Sequence, residues 1–301
     1  MKKILIIGRG QIGSALARDL AEFKVQVWPH DIDALSVSAL EAIRPELVIN
    51  AAGKTDLAWC ETHAAEAIRS NLEAPVRLYE RIVSLEGIRF IHFSSGCIWD
   101  GPYNSKGKPF TPKDAPTPAC LYSWTKAAAD AMLLDLNPNR IAILRPRQVY
   151  SANATSGAHL RNTLQKLLQY PKLIDTPNSM SSIEIIEKTV RHVIHARRDW
   201  SGVWNVYDRG VTSPFEVAEM LWKAGLRAQP IRISKTELDS FHKPKRVDTV
   251  LYDDRFEVQL QPEEVHEVWA RTIKEYQEKI SQPMSGKKQL ESQVETVPTI
   301  L

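Results

Sequence analysis

The residues in this sequence whose types and spacing best suit a chemical reaction are a tyrosine and a lysine four positions apart. Tyr122 and Lys126 lie at the start of a stretch with a helical pattern, so both side chains should share one face of that helix. A phenol with an ordinary pKa of about 10 is a poor proton donor or base at neutral pH, and a neighbouring ammonium lowers that pKa because it favours the phenolate. The pair therefore predicts proton exchange with the oxygen of a carbonyl group that gains hydride.

A serine at the end of a predicted strand extends this pair. Ser95 follows the apolar run from Arg89 to Phe93 and would hydrogen bond the substrate oxygen. A tyrosine and a lysine at this spacing are common by chance, and the alternative is an aromatic ring on a helix face beside a solvated charge. The context favours chemistry, because the chain also begins with a glycine-rich motif.

That motif, G-x-G-x-x-G, follows a predicted strand and begins a predicted helix, which is typical of dinucleotide-binding loops. The backbone N–H groups of such a turn approach a pyrophosphate at the positive end of the helix. Three small residues after a later strand would let a ribose of the cofactor pack closely. The predicted cofactor-binding residues are Gly8, Arg9, Gly10, Gln11, Ile12 and Gly13 in the loop, Ala51, Ala52 and Gly53 after the later strand, and Tyr122 and Lys126.

Residues near the end of the second strand bear on the choice between NADH and NADPH. An acid in this region usually binds the adenosine ribose, and Asp31, followed by Ile32, lies in that neighbourhood. Arg9 lies inside the glycine turn and could meet a 2′-phosphate instead. Asp31 could equally be a turn residue that caps a helix. The sequence therefore leaves the cofactor as NADH or NADPH.

Short β-rich runs alternate with helical stretches through the first half of the chain, which predicts an α/β fold with a doubly wound parallel sheet of the Rossmann type. We predict a dinucleotide-binding domain over residues 1–150, to which some later segments return, and a smaller α/β substrate lobe over 151–280. An amphipathic helix from Glu263 to Lys279 would end this lobe. Residues 281–301 lack periodicity and are predicted to be a disordered tail.

The predicted elements have definite bounds in the sequence. Apolar runs bounded by turn residues indicate the strands, and apolar positions three and four apart indicate the helices. The predicted strands of the first half run from Lys3 to Ile7, Val25 to Trp28, Leu47 to Ala52, Arg89 to Phe93 and Arg140 to Leu144. The predicted helices include Ala64 to Leu85, after a loop from Lys54 to His63, then Tyr122 to Leu136, and in the second half Ala158 to Gln169, Ile183 to Arg197 and Pro214 to Ala224.

Composition argues against several other classes of protein. The chain has 301 residues and a net charge of +3, which is too near neutral to indicate a nucleic-acid partner. No apolar run approaches the ~20 residues that span a bilayer, so we predict no membrane segment. The three cysteines and eight histidines lack metal-ligand spacing, and no metal site is predicted. The odd cysteine count and the absence of a signal-peptide pattern favour the cytoplasm.

With these motifs in place, the chain resembles the extended short-chain dehydrogenases/reductases. Within that superfamily it resembles the reductases that complete deoxysugar nucleotides, notably the dTDP-4-dehydrorhamnose reductases, at residues 48–53, 92–101 and 204–217. It is similar more closely to the bifunctional 3,5-epimerase/4-keto-reductases of nucleotide-rhamnose synthesis. The residues that carry this closer resemblance are Gly96-Cys97-Ile98-Trp99, Gln165-Lys166, Tyr170 and Pro177-Asn178-Ser179-Met180.

The resemblance implies NAD(P)H as cofactor, a nucleotide sugar bound between the two domains, and a homodimer. It carries Ser95, Tyr122 and Lys126 over as the reductase triad, and Cys97 and Lys166 as the acid/base pair of epimerisation. Epimerisation at C3 and C5 beside a C4 ketone removes an acidic α-proton and returns one on the opposite face, and a cysteine and a lysine can share these two tasks. GDP-fucose synthase likewise has a cysteine two residues after its catalytic serine.

Several of these residues also have a structural interpretation. Free cysteine is often a small buried hydrophobe, and Lys166 on a helix could be a solvated charge. Asn71 would brace the active-site backbone, as an asparagine does in this superfamily, or be a polar helix position. Arg246 could bind a diphosphate through charge-assisted hydrogen bonds, or form a surface ion pair. The residues predicted to bind substrate are Ser95, Gly96, Cys97, Asn178, Ser179 and Arg246.

The leading hypothesis is a nucleotide-sugar 4-keto-reductase that also epimerises C3 and C5 and converts a 4-keto-6-deoxy-hexose nucleotide toward a rhamnose-like product. A reductase without epimerase activity is the alternative within the same class. A non-catalytic NADP-binding regulatory subunit is an alternative from another class, because a fold does not decide a function. The complete set of Ser95, Tyr122 and Lys126 argues against that last alternative.

Overall fold

A computed structural model of this protein describes residues 2–153, 162–241 and 244–281. Apolar and β-branched runs form its strands, which are three to six residues long. In chain order, the strands of the described residues are β1 (Lys3–Ile7), β2 (Lys24–Trp28), β3 (Leu47–Asn50), β4 (Arg89–Phe93), β5 (Ile141–Pro146), β6 (Lys172–Ile174), β7 (Gly202–Val206) and β8 (Ile231–Ile233).

Six of these strands, within the described ranges, form one parallel sheet in the order β2-β1-β3-β4-β5-β7. The order reverses between β1 and β3, because β2 lies on one side of β1 and all later strands lie on the other. Ligands of open α/β sheets bind outside the carboxyl ends of the strands at such a reversal. Ile7 and Asn50, which are paired in register, mark that edge. The predicted doubly wound parallel sheet is confirmed.

Helices connect the strands and cover both faces of the sheet. The helices of the described residues are α1 (Gln11–Asp19), α2 (Val37–Ile43), α3 (Leu57–Thr62), α4 (Ala64–Ile68), α5 (Ala74–Val83), α6 (Leu121–Leu136), α7 (Thr163–Gln169), α8 (Ile183–His195), α9 (Pro214–Lys223), α10 (Lys235–Phe241), α11 (Asp254–Leu260) and α12 (Val265–Ser281). A π-helical segment, Arg69–Glu73, joins α4 to α5. Within the described ranges, none of these helices is both long and apolar enough to cross a membrane.

The main sheet has an apolar layer on each face, because successive side chains of a strand point to opposite sides. Ile4 of β1 packs with Leu16 of α1 and Ile186 of α8 on one face. Leu5, the next residue of β1, packs with Leu78 of α5 on the other. All five side chains are fully buried, and each such burial stabilises the fold by about 1.5–3 kcal/mol. These two layers hold α1, and therefore the glycine turn before it, against the sheet.

A smaller lobe carries the other side of the binding region. Its strands β6 and β8 pair in parallel, and the ring of Tyr150 stacks on Trp269 of α12 with centroids 3.8 Å apart. The Tyr150 hydroxyl donates to Oδ2 of the buried Asp208 at 2.8 Å, and Asp208 also accepts from Ser182 at the start of α8. Burial raises the pKa of Asp208 to about 7. This network ties the lobe to a helix of the main sheet.

Some elements of the second half belong to the layers of the first domain. β7 pairs with β5, and Arg191 of α8 donates to Asp19 of α1 at 2.8 Å. The region from Lys54 to His63, predicted to be a loop, contains α3, whose first turn is capped by Asp56. The predicted helix from Ala158 is described only from Thr163 onward. The predicted tail lies outside the described residues, apart from its first residue, which ends α12.

Candidate active site

A cavity of about 430 Å³ lies outside the carboxyl ends of β1, β3 and β4, where the strand order reverses. The main domain forms one wall and the smaller lobe forms the other. Most of the residues that the sequence singled out meet at this cavity. The predicted site residues that line it are Gly10, Gln11, Ile12, Ala51, Ala52, Gly53, Asn71, Ser95, Cys97, Tyr122, Lys126, Lys166 and Arg246.

The glycine turn is shaped by three positions with different steric demands. Gly8 has a φ of +102°, and a Cβ there would lie 2.7 Å from the backbone of Ala51. A Cβ on Gly13 would lie 2.0 Å from the carbonyl oxygen of Gly8, so only glycine lets α1 approach β1 this closely. A Cβ on Gly10, by contrast, would have no atom of the described residues within 4 Å beyond its own neighbours in the chain. The open space at Gly10 suits the approach of a pyrophosphate to the backbone.

A buried polar atom beside this turn also fits a bound dinucleotide. Nε2 of Gln11 is buried at the cavity and has no hydrogen-bond partner among the described residues. Buried donors are normally satisfied, so an unsatisfied one at a cavity indicates a place for a ligand or water. The residues present therefore fit the predicted cofactor at the start of α1.

A second cavity of about 640 Å³ adjoins the first at Ala52 and extends the binding edge toward β2. Arg9, His30, Asp31 and Ile32 line it, as expected for the adenosine end of a dinucleotide. Asp31 occupies the position before a short 3₁₀ turn, Ile32–Ala34, but its side chain makes no capping hydrogen bond within the described structure. Its carboxylate and the Arg9 guanidinium therefore border the same space, and the choice between NADH and NADPH stays open.

The side chains of Tyr122 and Ser95 are hydrogen bonded to each other, and both residues line the first cavity. The Ser95 hydroxyl donates a hydrogen bond that lowers the pKa of Tyr122, but burial of the phenol outweighs it and raises that pKa above its ordinary value of 10. The charge of Cys97 adds to the rise. The sequence predicts that Lys126 lowers this pKa; in the structure, burial instead holds the phenol in its neutral, proton-donating form. This correction follows from burial, which disfavours the charged form.

Lys126 is 4% exposed and lies one helical turn after Tyr122 on α6. Its Nζ donates to the carbonyl oxygen of Phe93 at 2.6 Å and lies 3.3 Å from Nε2 of His92. Burial lowers the pKa of Lys126 to about 8, although the nearby carboxylate of Asp130 raises it. The amine is therefore a group whose charge changes close to neutral pH.

Asn71 lies in the π-helical segment between α4 and α5 and is 1% exposed. Its Oδ1 accepts from the backbone N–H of Lys54 at 2.8 Å, and its Nδ2 donates to the carbonyl of the same residue at 2.9 Å. Nδ2 also lies 3.4 Å from Oγ1 of Thr125 on α6. These contacts fix the backbone just after Gly53 against the helix that carries Tyr122. π-helical turns frequently occur at functional sites.

Cys97 lies in a short 3₁₀ turn, Gly96–Ile98, which Ser95 caps by accepting from the Cys97 N–H at 3.1 Å. Cys97 comes two residues after Ser95 in the chain, and its half-buried side chain lines the cavity. Nη1 of Arg147 donates to its Sγ at 2.9 Å. Lys166 reaches the same cavity from α7 in the smaller lobe, so the two residues of the predicted epimerisation pair face one space from opposite walls.

Part of the cavity lining is basic. Lys172, Lys245 and Arg246 line it, and Lys172 and Lys245 form ion pairs with Glu237 and Asp100. Three basic side chains in the lining of one cavity suit a diphosphate, which prefers charge-assisted hydrogen bonds. Arg246 lines the cavity, and its contact with a diphosphate stays a prediction.

Three residues predicted to bind substrate lie behind the cavity wall. Asn178 and Ser179 are 0% exposed: the amide of Asn178 contacts Arg147 and Asp248, and Oγ of Ser179 accepts from the N–H of Leu251 at 2.9 Å. Gly96 is buried, and a Cβ there would lie 2.8 Å from the side chain of Leu251. Their contacts within the protein use the groups that would have faced a ligand, so they support the wall instead.

Sequence reasoning missed two groups that contact the site residues. His92 of β4 is fully buried between Lys126 and Asn50, whose Nδ2 lies 3.1 Å from its Nδ1. Burial lowers the pKa of His92 well below its ordinary value, so it is neutral. Arg147 lies one residue after β5 and contacts Cys97. A histidine in an otherwise apolar strand was a usable signal for the first; nothing in the local pattern around Arg147 indicates a buried arginine.

Comparison with known proteins gives this geometry a family context. The computed structure is similar to the UDP-rhamnose synthase of Acanthamoeba polyphaga mimivirus, with a TM-score of 0.79 at 22% identity over 91% of this chain and 99% of that one. It is also similar to the dTDP-4-dehydrorhamnose reductase of Bacillus anthracis, solved in complex with NADP, with a TM-score of 0.77 at 19% identity over 91% of this chain and all of that one. At these identities the likeness establishes the fold.

Relatives at higher identity match a part of their own length. A bifunctional dTDP-4-dehydrorhamnose 3,5-epimerase/dTDP-4-dehydrorhamnose reductase of Arabidopsis thaliana is 32% identical over 191 residues, which are 61% of each chain. A trifunctional dehydratase/epimerase/reductase of UDP-rhamnose synthesis from the same plant is 30% identical over 60% of this chain and 27% of its own. The match thus spans less than two thirds of either relative. The model of the RmlD substrate binding domain, however, matches residues 1–278, and the chain therefore belongs to that family.

Proposed function

We propose that this protein reduces the C4 ketone of a 4-keto-6-deoxy-hexose nucleotide with NAD(P)H, after epimerising C3 and C5. One observation carries the proposal: Ser95, Tyr122 and Lys126 line the same cavity as Cys97 and Lys166, beside the glycine turn. A reductase needs the first three groups at one carbonyl, and an epimerase needs an acid and a base on the two faces of the neighbouring carbons. The bifunctional plant relative supports the same pairing of activities.

The cofactor would lie along the carboxyl edge of the sheet. Its pyrophosphate would meet the backbone at Gly10 and the unsatisfied amide of Gln11, and its adenosine would occupy the cavity bordered by Arg9 and Asp31. When bound, this group supplies the hydride that C4 of the sugar receives. The Bacillus anthracis neighbour, solved with NADP, is consistent with this use of the fold.

Reduction of the ketone leaves negative charge on the C4 oxygen, which must gain a proton. Tyr122 gives that proton, because burial keeps its phenol neutral until transfer. Ser95 donates a hydrogen bond to the same oxygen and orients it. Lys126, once protonated, compensates the phenolate that remains on Tyr122, and it would also hold ribose hydroxyls of the cofactor. The phenolate then regains a proton from solvent.

Epimerisation uses the same polarised carbonyl. The Cys97 thiolate removes an α-proton, the electrons of the C–H bond form the enolate, and the C4 oxygen takes the negative charge against Ser95 and Tyr122. The ammonium of Lys166 returns a proton to the opposite face of the carbon, and the thiol and amine then exchange protons with solvent. The basic residues Lys172, Lys245 and Arg246, which line the same cavity, would hold the diphosphate of the nucleotide.

Two readouts on one sample test both halves of the proposal. The protein is incubated in D₂O with dTDP- or UDP-4-keto-6-deoxyglucose, first without and then with NADPH. We expect deuterium at C3 and C5 by NMR before cofactor is added, and oxidation of NADPH afterwards; Cys97→Ala should lose the exchange. If the wild type oxidises NADPH without exchanging deuterium at C3 and C5, the protein is a reductase without epimerase activity. The absence of both readouts would contradict the proposal.

We also infer a reducing compartment, the cytoplasm, for this protein, because its three cysteines are free thiols. Oxidation of the half-buried Cys97 would remove the proposed base. The homodimer stays a prediction, and light scattering of the purified protein, combined with size-exclusion chromatography, measures it directly.

A further inference from the structure

Arg147 is an arginine almost completely withdrawn from water. It is 2% exposed, and each nitrogen of its guanidinium donates to a different acceptor. Nε donates to Oδ1 of Asn178 at 2.6 Å, Nη2 donates to the carbonyl oxygen of Val247, and Nη1 donates to Sγ of Cys97 at 2.9 Å. Two of these acceptors belong to the protein interior, and the third belongs to the proposed active site.

The surrounding residues hold this guanidinium in place. The amide of Asn178 is itself fixed, because its Nδ2 donates to Asp248 at 3.2 Å and its Oδ1 also accepts from the N–H of Thr249 at 3.1 Å. Gly96 makes room for the arginine, since a Cβ there would lie 3.3 Å from Cβ of Arg147. Asn178 and Gly96, which do not reach the cavity, therefore act on it through Arg147.

The chemistry of the contact favours a charged sulfur. A neutral thiol is a weak acceptor, so a hydrogen bond to it stabilises a buried guanidinium only slightly. A thiolate is a full negative charge, and its hydrogen bond to a cation is about twice as strong as a neutral one. Cysteines beside arginine or lysine are the reactive ones in proteins.

We propose that Arg147 is a positioning residue for epimerisation, which holds Sγ of Cys97 toward the cavity and stabilises its thiolate. This inference rests on the proposed function, which specifies the proton that the thiolate removes. The effect of Arg147 on the thiol itself can be measured without any substrate. Arg147 does not touch the sugar in this scheme; it acts through Cys97.

Alkylation of the free thiols tests the first part in the wild-type protein. Cys120 is the matched control, because it is also half-buried at the same cavity and burial raises its pKa. With limiting iodoacetamide at pH 7.5 and peptide mass analysis, we expect Cys97 to react at least about tenfold faster than Cys120. Equal rates would overturn the inference, whether or not the protein turns over a sugar nucleotide.

Substitution tests the second part. Arg147→Gln should slow alkylation of Cys97 and reduce deuterium exchange at C3 and C5 by about 100-fold, which is the usual size of a lost acid/base function. Arg147→Lys, which keeps a cation, should recover part of both. dTDP-4-dehydrorhamnose is already epimerised, so its reduction does not need the thiolate. The loss in its reduction rate should therefore be at least about tenfold smaller than the loss in exchange rate. Arg209→Gln, an exposed arginine paired with Glu257, is the control for folding and activity.

The two parts together separate the possible failures. If Arg147→Gln exchanges deuterium at C3 and C5 at the wild-type rate, the inference is overturned. Equal losses of exchange and of reduction would also overturn it, because a merely structural arginine would cause such losses. A wild type that alkylates selectively at Cys97 but neither exchanges nor reduces would contradict the proposed function alone. If Arg147→Gln fails to fold, the wild-type alkylation ratio still decides.

Discussion

Nζ of Lys126 lies 3.3 Å from Nε2 of His92, and the two nitrogens are buried together beneath the proposed active site. His92 is neutral, because burial and the charge of Lys126 lower its pKa, and it connects the lysine to Asn50 at the end of β3. Oδ1 of Asn50 in turn accepts from the N–H of Ala52 at 3.1 Å. The carboxyl ends of β3 and β4 and the helix that carries Tyr122 are thereby joined through one polar chain.

The burial of Lys126 has a cost that stability measurements can detect. A lysine whose folded pKa is about 8 binds fewer protons than the unfolded chain between pH 8 and 10.5, so it destabilises the fold below this window and the penalty fades as pH rises through it. We expect Lys126→Met to stabilise the protein at pH 7 by about 1–3 kcal/mol in urea unfolding, with the gain disappearing above pH 10. Lys274→Met, at an exposed position of α12, is the control. A Lys126→Met protein that is less stable than the wild type at pH 7 would contradict this explanation.

Two glycines of the same turn should respond to alanine in opposite ways. Gly13→Ala places a Cβ 2.0 Å from the carbonyl oxygen of Gly8 and should destabilise the fold by about 1–3 kcal/mol or more. The Cβ of Gly10→Ala lies in open space, so the free energy of unfolding of this variant should be within about 0.5 kcal/mol of that of the wild type. It should nevertheless weaken dinucleotide binding, because the new methyl group occupies the space of the pyrophosphate. Calorimetry of unfolding and of NADPH binding distinguishes the two; unchanged binding in Gly10→Ala would show that the pyrophosphate lies elsewhere.

Arg9 and Asp31 border one cavity and should favour different cofactors. A hydrogen bond to a charged group contributes about 1.5–3 kcal/mol, so Arg9→Gln should weaken NADPH binding about tenfold while NADH binding changes little. Asp31→Asn should weaken NADH instead, because a neutral amide replaces the charged carboxylate that would accept from the ribose hydroxyls. Titration of each variant with both dinucleotides measures this. Equal losses for NADH and NADPH in Arg9→Gln would mean that the guanidinium does not meet the 2′-phosphate.

Local patterns were sufficient to predict the elements that bury an apolar run between turn residues. β1 and β4 have the bounds predicted from their sequences, and α6 differs by one residue at its start. Of the two three-residue strands, β8 was predicted with its observed bounds, Ile231–Ile233, whereas β6 was missed. α3 was missed although Asp56, three residues before Trp59, is a capping signal. Short elements depend on tertiary contacts that spacing along the chain does not encode.

The site divides in the same way. The glycine turn, Ser95, Tyr122 and Lys126 were predictable because each follows a strand or begins a helix, and these positions meet at one edge of a parallel sheet. Arg147 was not predictable, because its burial depends on Val247, which is 100 residues away. Asn178 was wrongly predicted to contact the substrate, because the sequence does not reveal which face of its segment points to the cavity.

The role of Tyr122 as proton donor is tested most directly by transient kinetics of Tyr122→Phe. The protein, saturated with NADPH, is mixed with dTDP-4-dehydrorhamnose, and the loss of absorbance at the nicotinamide band is followed in a single turnover. We expect hydride transfer to slow by about 100-fold or more, with the affinity for NADPH unchanged, because the phenol donates to the C4 oxygen. Hydride transfer at the wild-type rate in Tyr122→Phe would contradict that role.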